Sequence, residues 1–153
     1  MKSLYVIGAA LLSSLSLYSQ ACSYDGQFNN PFAESYPGSI DVAIATYDAL
    51  DSQRFSAVSP LTGTPGLQRA SWWLKLMADR HSAQLKSVSY IYLVDSHLWS
   101  KLETDQSIKV HLAPSDAKPT SVLLLSEAAL NALIQKQMDF AQALELGVIR
   151  FSS

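Results

Sequence analysis

The chain has 153 residues, 11 basic and 13 acidic, and only 16% of its positions are charged, which excludes the basic stripe that nucleic acid or an anionic membrane surface would require. Apolar residues make up 48% and aromatic ones 10%, enough for a packed core, so a disordered chain is excluded as well. Cys22 is the only cysteine; no internal disulfide can form, and stability has to come from packing.

Residues 1–21 read as an export signal. Lys2 supplies the positive start, Leu4 to Leu17 an uncharged apolar run, and Ser19-Gln20-Ala21 a small-x-small cleavage site. The run is 14 residues long, short of the roughly 20 that a membrane-spanning helix needs. The mature protein is therefore expected to be Cys22 to Ser153, 132 residues in a single domain without a transmembrane segment, in a periplasmic or extracellular setting. Loss of Lys2 leaves 10 basic against 13 acidic residues, a formal charge of −3. Cys22 would stand first after the cut, open to lipid attachment, to an intermolecular disulfide, or to remaining a thiol. The site keeps a small residue at Ala21 but has Ser19 where a lipoprotein signal has Leu, and membrane anchoring is expected only if Cys22 is lipidated.

Residues 22–38 form an irregular arm, CSYDGQFNNPFAESYPG, in which turn dipeptides alternate with Tyr24, Phe28, Phe32 and Tyr36. The rings are expected to anchor the arm to the core. A single α+β domain then fills 39–153. Ser39 is read as the cap of a helix from about Ile40 to Ser52 that buries Ile40, Ala43, Ile44, Tyr47 and Leu50. Thr64-Pro65 starts a second helix reaching about Gln84, with the stripe Leu67, Ala70, Ser71, Leu74, Met77, Ala78, His81 and Leu85. His81 has Met77 and Leu85 at the chelating positions, so it is expected to be a core or boundary histidine.

From Ser87 the period changes. Ser87 to Trp99, Ser107 to Leu112 and Thr120 to Leu125 read as three strands, the last so continuously apolar that both its faces should be covered. Ser126 caps a helix from Glu127 to about Gln137; Asp139 and Gln142 form a capping box over a short helix burying Phe140, Ala143 and Leu144; Gly147 ends it, and Val148 to Phe151 is a last strand. The order α-α-β-β-β-α-α-β predicts a mixed sheet of about four strands covered by helices.

Chemistry is sparse. Asp95-Ser96-His97 holds the residue types of a hydrolase triad, but on a strand Ser96 would point away from the other two, and no nucleophile-elbow, dinucleotide, Walker or Cys-x-x-Cys motif exists. If Trp99 pairs opposite Ser107, Asp95, His97 and His111 come within reach of one metal ion, with Lys109 beside them; a shift in register removes that site, and no metal or other cofactor is expected.

The stretch SVLLLSEAALNALIQKQMDFAQALELGVIRF resembles the C-terminal part of the sterol carrier protein lipid-binding domain: an apolar strand, a Ser-capped helix, an L-L-x-G-x-L-x-P turn, a short helix, then glycine and a strand. Leu133, Ile134, Met138, Asp139, Ala143, Leu144, Gly147 and Ile149 fall in corresponding places, while Lys136 stands where the family has glycine and Phe140 where it often has proline. The resemblance implies an apolar tunnel between sheet and C-terminal helices, lined here by Leu130, Leu133, Ile134, Met138, Phe140 and Leu144, with no catalytic residues. The expected function is thus an exported, non-enzymatic domain that binds an apolar, lipid-like ligand. The alternative is an envelope accessory protein that docks a protein partner through its aromatic arm, and a weaker one is periplasmic metal binding.

Overall fold

The computed structural model describes residues 23–25, 35–115 and 119–152. The predicted signal, Cys22, Phe28 and Phe32 lie outside them. The class is α+β, with a 3₁₀ turn at Ser23–Asp25, helices α1 (Ser39–Asp51) and α2 (Gly63–Arg80), strands β1 (Tyr90–Leu93), β2 (Leu98–Leu102), β3 (Ile108–Val110) and β4 (Val122–Leu125), helices α3 (Glu127–Ile134) and α4 (Phe140–Glu145), and β5 (Ile149–Ser152). The strands form one sheet in the order β3-β2-β1-β4-β5. Neighbours are antiparallel except β1 and β4, which run parallel, Tyr90 beside Val122 and Leu93 beside Leu125.

The sheet has five strands rather than four because the predicted Ser87–Trp99 strand breaks at Val94–His97, a turn in which His97 takes φ 53°. Asp95-Ser96 is turn chemistry in the middle of a run longer than an ordinary strand. The register also differs from expectation. Lys101 lies opposite Lys109 and Leu102 opposite Ile108, which moves β3 four residues along β2 from the pairing that would set Trp99 against Ser107. Glu103 reaches both lysines, at 3.4 Å and 2.9 Å.

All four β4 residues are fully buried, as their apolar run requires. Leu123 and Leu125 join the main core with Leu74 and Met77 of α2, Ile91, Leu93, Leu98 and Leu130. Val122 and Leu124 join a smaller cluster on the other face with Val42, Tyr92, Val94 and Trp99. There Trp99 stands edge-on to Tyr36 and Tyr90 and tilted against Tyr92, centroids 5.1, 6.1 and 4.5 Å away, so the end of the arm does anchor to the core.

Helix α1 buries a different face from the one its large apolar residues suggest. Val42, Ala43, Thr46 and Ala49 are inside, Ile40 is half-buried, and Ile44 and Tyr47 face solvent. The helix bridges the two clusters, Val42 in one and Ala49 in the other, and small residues permit that close approach. Its cap position is Gly38 at φ 90°, a left-handed turn that glycine adopts without strain; Ser39 is the first helical residue and is buried. Helix α2 begins two residues earlier than predicted, at Gly63 with Thr62 as its cap, and ends at Arg80, with His81 half-buried at its C-cap, 5.6 Å from the Phe140 ring. The C-terminal signals hold: Ser126 accepts from the Ala129 N–H, Asp139 and Gln142 form the capping box, and Gly147 takes φ 73°. Leu144, expected inside, is exposed. No helix among the described residues is long and apolar enough to cross a membrane.

The face of α1 can be checked by urea denaturation. Val42→Ala should cost about 2 kcal/mol, whereas Ile44→Ala and Tyr47→Ala should each stay within about 0.5 kcal/mol.

Candidate functional site

Because β1 and β4 are parallel, their carboxyl ends emerge side by side, β1 into the Asp95 turn and β4 into Ser126 and α3. In open sheets that contain parallel strands, such ends are where ligands commonly sit. Beside them opens a cleft of about 370 Å³. Leu50 of α1, Ala128 of α3 and the segment Ala57, Val58, Pro60 and Leu61 form apolar walls, and Thr46, Arg69, Asp95, Ser96 and Glu127 supply polar groups.

Arg69 is the hub. One guanidinium nitrogen donates to the Ser59 carbonyl at 2.7 Å and another to Glu127 Oε2 at 3.1 Å, while the group lies 4.9 Å over the Trp73 ring. Its Nε is buried with no hydrogen-bond partner among the described residues. Burial pushes the guanidinium pKa down, and the charge of Asp95 opposes that shift. One turn earlier on α2, Gly66 carries the Tyr24 ring; a Cβ there would come within 2.4 Å of it, so only glycine leaves the ring its place. Tyr24 is 8% exposed, lines the cleft, and its hydroxyl has no partner among the described residues.

Asp95 is held by the end of α3. Both its oxygens accept from the Glu127 N–H, at 3.1 Å and 3.0 Å, so it adds a second cap to the one Ser126 provides. Burial raises its pKa; the N–H groups of Glu127, Asp95 and Ser96 and the charge of Arg69 pull the other way. Thr46 donates to Ser126 Oγ at 3.0 Å, which ties α1 to the same helix end. Glu127 itself is buried, and although the Arg69 contact favours its ionised form, burial prevails and its carboxyl is pushed up to about 7.

Of the residues expected to line an apolar tunnel, Leu130, Leu133, Ile134, Met138 and Phe140 are buried in the main core and Leu144 is on the surface. A surface depression near them is lined by Arg80, His81, Leu133, Lys136, Met138, Asp139 and Gln142. Asp95, His97 and His111 are not brought together. Asp95 caps α3, His97 sits beside Tyr92 with centroids 6.1 Å apart, and His111 pairs with Asp25 at 3.4 Å. No group of three His, Cys, Asp or Glu side chains among the described residues could hold a metal ion. Sequence reasoning missed Arg69, Glu127 and Tyr24 as a set. Neither a scan against protein-family models nor a search of curated proteins finds a match to this chain.

Two outcomes follow from the cluster. Asp95→Ala should destabilise the fold by about 2 kcal/mol through loss of the cap, and Asp95→Asn, which keeps one acceptor, by less; thermal or urea unfolding measures both. The native state holds the Glu127 proton more tightly than the unfolded chain does. Its contribution to stability is therefore fully present below about 4.5, the ordinary carboxyl value, and lost as pH rises through about 7, a decline on the order of 3 kcal/mol that Glu127→Gln should abolish.

Proposed function

We propose that the mature domain is exported and, without catalysing a reaction, binds a small ligand that carries an apolar body and one polar end. The observation that carries this reading is the cleft beside β1 and β4, whose apolar walls meet buried polar groups, two of which have no hydrogen-bond partner among the described residues. Such a combination of apolar lining with a few convergent polar groups is what small-molecule sites share. The body would lie against Val58, Leu61 and Ala128, and the polar end would face Arg69 and Glu127.

The expected lipid-like ligand is thus retained, but the cleft offers it room that the close-packed residues between sheet and C-terminal helices do not. A relation to the sterol carrier domain is supported by one backbone detail. Lys136, at the position where that family has glycine, has φ 57°, a conformation that favours glycine. A partner-docking role has its own support in Ile44 and Tyr47, adjacent and exposed on α1, rather than in Tyr24, which is buried.

A titration of the mature protein with 1-octanol, followed by amide NMR shifts, tests the site. Shifts should centre on 57–61 and 126–128, vanish in Val58→Trp and persist in Leu144→Lys. Shifts confined to 130–144 would assign the ligand to the C-terminal helices instead, and no shifts at either place would leave the α1 surface as the stronger reading.

A further inference from the structure

The chemistry of the polar end can be taken further, on the assumption that the cleft is a ligand site. Two carboxylates, Asp95 and Glu127, share a single cation, Arg69. Asp95 is committed to the helix end on both oxygens. Glu127 is not: Oε2 accepts from Arg69, and Oε1 accepts no hydrogen bond among the described residues while its side chain lines the cleft. Tyr24 adds a second oxygen, in a residue more than nine-tenths buried, with no partner among the described residues. Both oxygens can accept hydrogen bonds, and around them lies a low-polarity wall that weakens screening by water.

We infer that the cleft selects a primary ammonium on an apolar body, its N–H groups donating to Glu127 Oε1 and the Tyr24 hydroxyl. Such a group brings the missing positive charge and up to three donors to a site that has acceptors to spare. A carboxylate or an alcohol could accept from Arg69 Nε, but the first would face two like charges and the second would leave the charge uncompensated. The groups that face Glu127 across the cleft are Arg69 from α2, Asp95 from the β1–β2 turn and Tyr24 from the 3₁₀ turn; α1 and the 57–62 segment contribute no ionisable side chain to the lining. Ionisation of Glu127 therefore governs capture of the cation. Alkylammonium groups stay protonated through neutral pH, so binding should strengthen as pH rises through the Glu127 transition.

The experiment compares octylammonium, 1-octanol and octanoate on the mature protein by calorimetric titration, each below its aggregation concentration. Octylammonium should bind at least about tenfold more tightly than the other two at pH 8, and its affinity should fall about tenfold by pH 5.5 while that of octanol stays flat. Glu127→Gln, which keeps the shape of the side chain, should bring octylammonium down to the level of octanol. If that variant does not fold, the wild-type pH profile decides by itself: a flat profile for octylammonium overturns the inference. Octanol equal to or tighter than octylammonium also overturns it and leaves the cleft reading standing. Binding of none of the three overturns both.

Discussion

β4 contains no side chain that water would favour, and the architecture follows from hiding it. Val122, Leu123, Leu124 and Leu125 can be buried together only in a strand with neighbours on both edges and cover on both faces. β1 and β5 supply the edges, helices α2 and α3 cover one face, and Tyr36 and Val42 pack on the other, where Tyr92 and Trp99 of the neighbouring strands complete the cluster. The parallel pairing with β1 aligns two strand ends, and that alignment brings the Asp95 turn to the start of α3. The cleft is thus a by-product of where the most apolar strand had to go.

Placing charge at that point is costly, and the structure offsets it in an unequal way. A half-buried guanidinium beside the half-buried Asp95 and the buried Glu127 is tolerable only when hydrogen bonds replace lost water. Asp95 gains most, since backbone N–H groups hold it and it in turn completes a helix end. Arg69 gains a carbonyl, a carboxylate and a ring face. Glu127, which lines the cleft, gains one side-chain contact and has a second oxygen with no hydrogen bond among the described residues. Structural work falls on Asp95, and freedom to respond to the proposed ligand falls on Glu127.

Local rules made much of the fold legible. Ser126, the Asp139–Gln142 box, Gly147 and the unbroken β4 run are each short-range signals whose chemistry does not depend on distant partners, and each holds. The face of α1 was ambiguous because two stripes share the helical period. Size favours Ile40, Ile44 and Tyr47, but a helix that has to reach both clusters favours Val42, Thr46 and Ala49, and that demand is tertiary. Asp95-Ser96 carried a readable turn signal that the surrounding apolar residues masked. Arg69 and Glu127 are 58 positions apart, and nothing in either neighbourhood announces the other. Their meeting depends on the α2–α3 packing, which no periodicity encodes.

The connection between β3 and β4 bears on the order in which these parts come together. β1, β2 and β3 form a meander of sequence neighbours, which closes with short loops. β4 must then return past that meander to pair on the opposite edge of β1, with Ala113 packed against the aromatic face on the way. That connection, residues 111–121, is longer than the turns inside the meander, and pairing across it is less local, which favours slower closure. Asp95 belongs to the meander and Glu127 follows the crossing, so the full charged cluster requires β4 to have paired with β1. A chain caught before that point would have a formed hairpin, an open β1 edge and a carboxylate still in water.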